Sequence, residues 1–262
     1  MKIAIISGGS SGIGKATAYQ LIANKYKVYE LSRSGKDENG ILHVNCDVCD
    51  ENAVNKAVEY VLRENNNQID LLINNAGFGI SGAIEFTQTE EVKKLFDVNF
   101  LGAVRLTKAC LPYLRESKGR IINVSSVGAI FGLPFQSFYS ATKFALNGYT
   151  LALASEVKRF GVSVCAIMPG DASTNFTNAR QKNNIGNDLY KGSINKSVSM
   201  MENDEKRGMT ATKIGKRISK IAKKRKIKPM YVIGFKYKIF SVLSKMLPIK
   251  FVNFIVRKIY AK

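Results

Sequence analysis

The sequence predicts an α/β protein: a doubly wound parallel sheet between two helical layers, with a basic helical C-terminal extension. Three observations carry this. Short apolar runs ("IAII", "DLLI", "RIINV", "VSVCAIM") recur along the chain, apolar on both faces as buried parallel strands are. Longer helical patterns separate them, so strand and helix alternate, which implies right-handed crossovers within one sheet. The first run also ends in a turn of four glycines that leads straight into a helix. At 262 residues, 45% hydrophobic and 23% charged, the chain is long enough to bury a large core as one domain.

The first strand is expected at 3–7, and the turn after it reads "SGGSSGIGKAT". Such a turn cradles either a nucleoside triphosphate or the pyrophosphate of a dinucleotide. The triphosphate pattern needs a hydroxyl directly after its lysine to hold Mg²⁺, and Ala16 follows Lys15 here. The dinucleotide reading survives, with Gly8, Gly12 and Gly14 letting the backbone approach a charge at a helix N-terminus. The helix begins near Ile13. Further strands are expected at 27–31, 42–46, 70–74, 120–125 and 163–168, with helices beginning near Glu51, Thr89 and Phe138. Residues 175–228 turn polar and basic, and Asn183, Asn184 and Gly186 mark an expected mobile loop. "PMYVIG" offers a last strand before a basic, apolar tail.

Charge is unevenly spread. Residues 1–190 hold 20 Lys and Arg against 17 Asp and Glu, whereas residues 191–262 hold 20 against 3. We therefore divide the chain into a near-neutral body, 1–190, and a basic extension of the same domain, 191–262. The tail has lysines between apolar pairs, with Pro248 interrupting it. Two readings stay open for it. It lies in an anionic membrane surface through Phe240, Leu243, Phe251, Phe254 and Ile255, or it forms two short helices that close a pocket or pack on a second subunit. Nucleic-acid binding is not expected, because no stacking motif or recognition fold accompanies the charge. The N-terminus carries no secretory-signal pattern and no apolar run reaches the 18–20 residues of a span, so a cytoplasmic location is expected, peripheral on an inner membrane face if the tail binds lipid. Cys46 and Cys49 form a C-x-x-C, but no second pair stands at zinc-ligand spacing and His43 is the only histidine, so no metal is expected.

The stretch "NVSSVGAIFGLPFQSFYSATKFALNGY" carries the chemistry. Tyr139 and Lys143 stand four apart on a helical pattern and share a face. A free tyrosine ionises near pH 10, and a neighbouring ammonium favours its phenolate. Tyr139 could then exchange a proton with a carbonyl oxygen that Ser126, at the end of the preceding strand, also binds.

Together these residues resemble the short-chain dehydrogenase/reductase family, a Rossmann-type fold, in the branch of hydroxysteroid and retinol dehydrogenases. The resemblance covers 1–180 and, more loosely, the tail. "SGGSSGIG" matches its T-G-x-x-x-G-x-G with Ser7 for threonine, "NNAG" recurs at 74–77, and Y-x-x-x-K at Tyr139 and Lys143. It implies a catalytic set of Asn99, Ser126, Tyr139 and Lys143, with Asn99 holding Lys143 and a water in a proton relay. It implies cofactor contacts from Gly8, Ser10, Ser11, Gly12, Ile13, Gly14, Asn75, Ala76 and Gly77, from Asp47 and Val48 beside adenine, and from Tyr139 and Lys143. "PGDAST" supplies Pro169, Gly170, Ala172 and Thr174 near nicotinamide. An NAD enzyme of this kind carries an acid after the second strand; Ser32 stands there and Arg33 follows, so NADP is expected, with Glu30 pointing away. Phe78, Phe131, Leu133 and Phe135, beside Ser126 and Tyr139, would line an apolar pocket for a steroid, retinoid or long-chain ketone. The implied activity is interconversion of an alcohol and a ketone or aldehyde, with a homodimer or homotetramer as the family's usual assembly. The rival readings are a catalytically silent cofactor sensor and a membrane-surface lipid-binding protein.

Overall fold

The computed structural model describes residues 1–261. Seven parallel strands form one sheet: β1 (Lys2–Ser7), β2 (Tyr26–Ser32), β3 (Ile41–Asn45), β4 (Leu71–Asn74), β5 (Arg120–Val124), β6 (Ser163–Pro169) and β7 (Met230–Ile233). Their order is β7-β6-β5-β4-β1-β2-β3, so the winding reverses between β1 and β4. A crevice opens at such a reversal, beyond the carboxyl ends of the strands. Each strand expected from the sequence forms, with its ends within a residue of the expected ones.

The alternation of apolar side chains builds two cores. Ile3, Ile5, Leu72, Ile121 and Val164 point to one face, against α2 (Glu51–Arg63), α4 (Gly102–Glu116) and α5 (Ser137–Glu156). Ala4, Ile6, Ile73, Ile122 and Cys165 point to the other, against α1 (Gly12–Ile22) and α7 (Ala211–Ala222). Three layers result.

Between α3 (Thr89–Phe96) and α4 the chain stays helical, but Asp97–Leu101 widens into a π turn. Single π turns of this kind cluster at functional positions, and this one carries Asn99.

The polar, basic stretch 175–228 holds more helix than expected, although Asn183, Asn184 and Gly186 do fall outside helix and strand. It contains a helical turn at Phe176–Ala179, then α6 (Ser193–Lys206) and α7. The lysines of α7 occupy its outer side, while Ile214, Ile218 and Ile221, at helical spacing, are buried against α1. High charge concealed an amphipathic pattern. Arg120 fastens the same extension to the sheet, donating from Nη1 to the carbonyls of Ile221 and Ala222, each at 2.6 Å. The tail forms the expected helix pair, α8 (Phe235–Met246) and α9 (Ile249–Tyr260), on either side of Pro248.

Candidate active site

The glycine turn leaves β1 and enters α1 at the crevice. Gly12 has φ +54°, a conformation that side chains other than glycine rarely adopt. A Cβ on Gly14 would lie 2.3 Å from the Gly8 carbonyl oxygen, so Gly14 lets α1 pack against the turn rather than touching a ligand. Ser11, the residue capping α1, makes no side-chain cap, which leaves the first amide donors of the helix open to an anion. The replacement of threonine by Ser7 keeps a useful hydroxyl: its Oγ accepts from the amides of Asn75 and Ala76 at 3.0 and 3.1 Å. Asn75 returns the connection, donating from Nδ2 to the Gly8 carbonyl at 2.9 Å. The ends of β1 and β4 are thus tied together beneath the cradle.

One cleft of about 280 Å³ collects most of the expected residues. Gly8, Ser10, Ser11, Gly12 and Ile13 line one end, with Asn75, Ala76 and Gly77 beside them. Ser126, Tyr139 and Lys143 face them, and Pro169, Gly170, Ala172 and Thr174 complete the wall. The open amides and the glycine turn suit the pyrophosphate of a dinucleotide.

Tyr139 and Lys143 are both buried on α5. Lys143 donates from Nζ to the Val124 carbonyl at 3.0 Å, and its Nζ lies 5.7 Å from the centre of the Tyr139 ring. Burial holds Lys143 down to about 8. Burial also pushes Tyr139 up to about 12, against an opposing hydrogen bond with Ser126. The expectation that Lys143 brings Tyr139 toward neutrality is therefore corrected for the protein alone: loss of water dominates, and what opposes it comes from Ser126 and Arg180. Asn99, buried in the π turn, donates to the Phe78 carbonyl at 2.9 Å and accepts from the Phe78 amide at 3.0 Å. It stands behind Gly77, outside the cleft lining. A Cβ on that glycine would lie 3.0 Å from Asn99 Oδ1 and 3.7 Å from Lys143 Nζ, so only a glycine-sized gap separates Asn99 from Lys143.

Several expectations shift. Phe78 packs behind Tyr139 in a cluster with Ile80 and Leu95 and does not line the cleft. Phe135 turns away at φ +58° and meets Tyr190 edge-on, ring centres 5.7 Å apart. Phe131 and Leu133 do line the cleft, joined by Phe176, Met201, Tyr237 and Tyr260. The last four were missed: Phe176 follows the "PGDAST" segment, Met201 lies in the segment expected to be a loop, and the two tyrosines lie in the tail, which the lid reading allowed.

Arg33, Asp47 and Val48 lie after the neighbouring strands β2 and β3, beyond the cleft lining. Arg33 is exposed. Asp47 accepts from the Cys49 amide at 3.0 Å, and Val48 is buried. Glu30 does not point away from Ser32, as alternation of i and i+2 should have indicated. Ser32 Oγ donates to Glu30 Oε1 at 3.2 Å, and His43 Nδ1 contacts the same oxygen. The carboxylate, 1% exposed, lies directly behind Gly9. Its Oε1 is taken by these two contacts, while its Oε2 has no hydrogen-bond partner among the described residues. The Cys46 and Cys49 thiols are pushed up to about 11 and about 12 by burial and neighbouring aspartates, the opposite of a reactive pair.

Comparison with known proteins agrees with this geometry. The family profile described as short chain dehydrogenase matches residues 2–185. The 3-ketodihydrosphingosine reductase of Bacteroides thetaiotaomicron is 38% identical over 99% of this chain and 98% of its own. Human retinol dehydrogenase 8 is 35% identical over 66% of this chain and 59% of its own. Among solved structures, ElxO with NADP bound superposes with a TM-score of 0.75 at 26% identity, covering 91% of this chain and 99% of that one. The 3-ketoacyl-(acyl-carrier-protein) reductase of Brucella melitensis, complexed with NADH, also gives 0.75, at 25% identity over 88% and 96%. Structural relatives thus hold nicotinamide cofactors of both kinds. With sequence, fold and cleft in agreement, the chain belongs to the short-chain dehydrogenase family of nicotinamide-dependent oxidoreductases.

Proposed function

We propose that this chain is an NADP-dependent reductase of a lipophilic ketone, the alcohol oxidation being the reverse of the same step. The observation that carries the reading is the convergence of Ser126, Tyr139 and Lys143 on the same cleft as the glycine cradle. A binding protein has no use for a buried tyrosine proton at that spot, which argues against the silent-sensor reading.

Gly8, Ser10, Ser11 and Gly12 would hold the pyrophosphate, with Asn75 and Gly77 beside the nucleoside. When bound, the nicotinamide supplies the hydride. Ser126 hydrogen-bonds the substrate carbonyl oxygen and fixes it beside Tyr139. Tyr139, whose pKa of about 12 keeps it protonated at neutral pH, gives its proton to that oxygen as charge develops on it. Lys143 binds the nicotinamide ribose and replenishes the proton, with Asn99 supporting it from the π turn.

NADP over NAD rests on the end of β2. The nearby carboxylate, Glu30, is 1% exposed and gives its Oε1 to Ser32 and His43, whereas Arg33 is exposed at the end of β2, where its guanidinium suits a 2′-phosphate. Phe131, Leu133, Phe176 and Met201 give the substrate end apolar walls. Among steroids, retinoids and long-chain ketones we favour the last, because the 38%-identical relative is named for reducing a 3-keto compound. Turnover of NADPH by the full chain with a panel of lipophilic ketones tests this. Consumption that depends on the ketone supports it; cofactor binding with no turnover on any ketone would overturn it.

A further inference from the structure

The α8–α9 hairpin has two unlike faces. Its inner face belongs to the cleft. Tyr237 and Tyr260 line the wall, the Tyr237 hydroxyl hydrogen-bonds Asp171, and Phe240 meets Phe131 edge-on with ring centres 4.7 Å apart. Val252 and Val256 are buried beneath α9. Phe240, expected from sequence on the lipid side, therefore points inward.

The outer face has no partner. Phe235 is 81% exposed, Met246 77% and Ile249 70%, and Val242, Phe251 and Phe254 are exposed beside them. Of the eighteen large hydrophobic side chains that the described residues leave exposed, nine lie in this hairpin. Scattered exposed apolar side chains are ordinary, but a concentration of this kind marks an interaction surface. Residues 235–262 also contain seven Lys and Arg and no acid. No helix among the described residues is long and apolar enough to cross a membrane.

Charge decides the occupant. A second copy docking by two-fold symmetry would set this face against itself, opposing the exposed Lys238, Lys245, Lys250, Arg257 and Lys258 with the same five charges, while Lys236 is held by Asp171. An anionic lipid surface complements both features: lysine stems extend their ammonium groups to phosphates while neighbouring apolar side chains enter the acyl boundary. We propose that the outer face of the α8–α9 hairpin docks on an anionic membrane surface. The hairpin is then a wall of the cleft on one side and a lipid contact on the other, which brings a lipophilic substrate within reach of the site without release into water.

Co-sedimentation with phosphatidylcholine vesicles, with and without phosphatidylserine, tests the docking with no reference to turnover. The outcome is therefore independent of the reductase reading. The full chain should pellet with the anionic vesicles at low salt and stay in solution with the neutral ones. Met246→Glu combined with Ile249→Glu should abolish pelleting, and Lys238→Gln with Lys245→Gln should weaken it by about fivefold per lysine. All four side chains are exposed, and circular dichroism should find the variants folded like the parent. Equal pelleting with neutral and anionic vesicles overturns the proposal, as does binding that all four substitutions leave intact. A concentration-dependent dimer that Met246→Glu with Ile249→Glu dissolves, in a chain that ignores anionic vesicles, assigns the face to a second copy and equally overturns it.

Discussion

Burial acts in opposite directions on Lys143 and Tyr139. It removes water from Lys143 and lowers its pKa to about 8; it does the same to Tyr139 and raises it to about 12. The proposed reduction needs both protonated. Tyr139 keeps its proton throughout the neutral range, so the charge on Lys143 sets the limit. Reductive kcat/KM should be flat near neutrality and fall as pH rises through about 8, by no more than about tenfold per pH unit for a single ionisation. Oxidation needs the phenolate and should rise with pH over the same interval. Initial rates in both directions across the pH range check this, and a reductive profile flat to pH 10 would contradict it. Arg33 provides the second test at this scale. Arg33→Ala should raise the KM for NADPH by roughly tenfold to a hundredfold, the equivalent of one charge-assisted hydrogen bond at about 1.5–3 kcal/mol, and leave the KM for NADH nearly unchanged. Equal KM values for the two cofactors in the parent would contradict the assignment. Tyr139 and Lys143 were legible as a pair because helical spacing alone puts them together. The balance of their pKa values was not, because the burial of Tyr139 depends on Ile80, Leu95 and Phe176, which the chain supplies from distant segments.

The strands were legible because a parallel sheet covered on both faces writes continuous apolar runs, as in Ile3 to Ile6. The first helix was legible from its glycine turn. The π turn at Asp97–Leu101 was not, since "DVNFL" has no composition that separates it from ordinary helix; its backbone is set by the packing of α3 and α4 around it. Of the helices in the basic quarter, α8 and α9 were foreseen, whereas α7 was not, because lysines on its outer side masked the apolar stripe beneath them. That stripe makes a testable contact. A Cβ on Gly215 would lie 2.8 Å from the Ala16 carbonyl carbon, so α7 and α1 approach backbone to backbone. Gly215→Val should force them apart at a cost of about 1–3 kcal/mol and lower Tm by several degrees. Calorimetry checks it, and an unchanged Tm would mean the helices part without penalty.

At the scale of the whole molecule, charge and fold divide differently. Sequence separates a near-neutral body from a basic quarter, but β7 completes the sheet, α7 covers one core and α8 and α9 wall the cleft. The basic quarter is part of the catalytic unit. This explains why the substrate wall was only half legible: Phe131 and Leu133 precede Tyr139 in sequence, whereas Tyr237 and Tyr260 reach it from about a hundred residues away. The central claim is that the cleft reduces a ketone with Tyr139 as the proton donor. The most direct measurement is ketone-dependent NADPH oxidation by the parent and by Tyr139→Phe, with NADPH affinity titrated by nicotinamide fluorescence. Loss of the hydroxyl alone should lower kcat by about 10²–10⁴-fold, the range for a general acid, with the NADPH dissociation constant unchanged. A fall of less than about tenfold, short of that range, with cofactor binding intact, would contradict the claim.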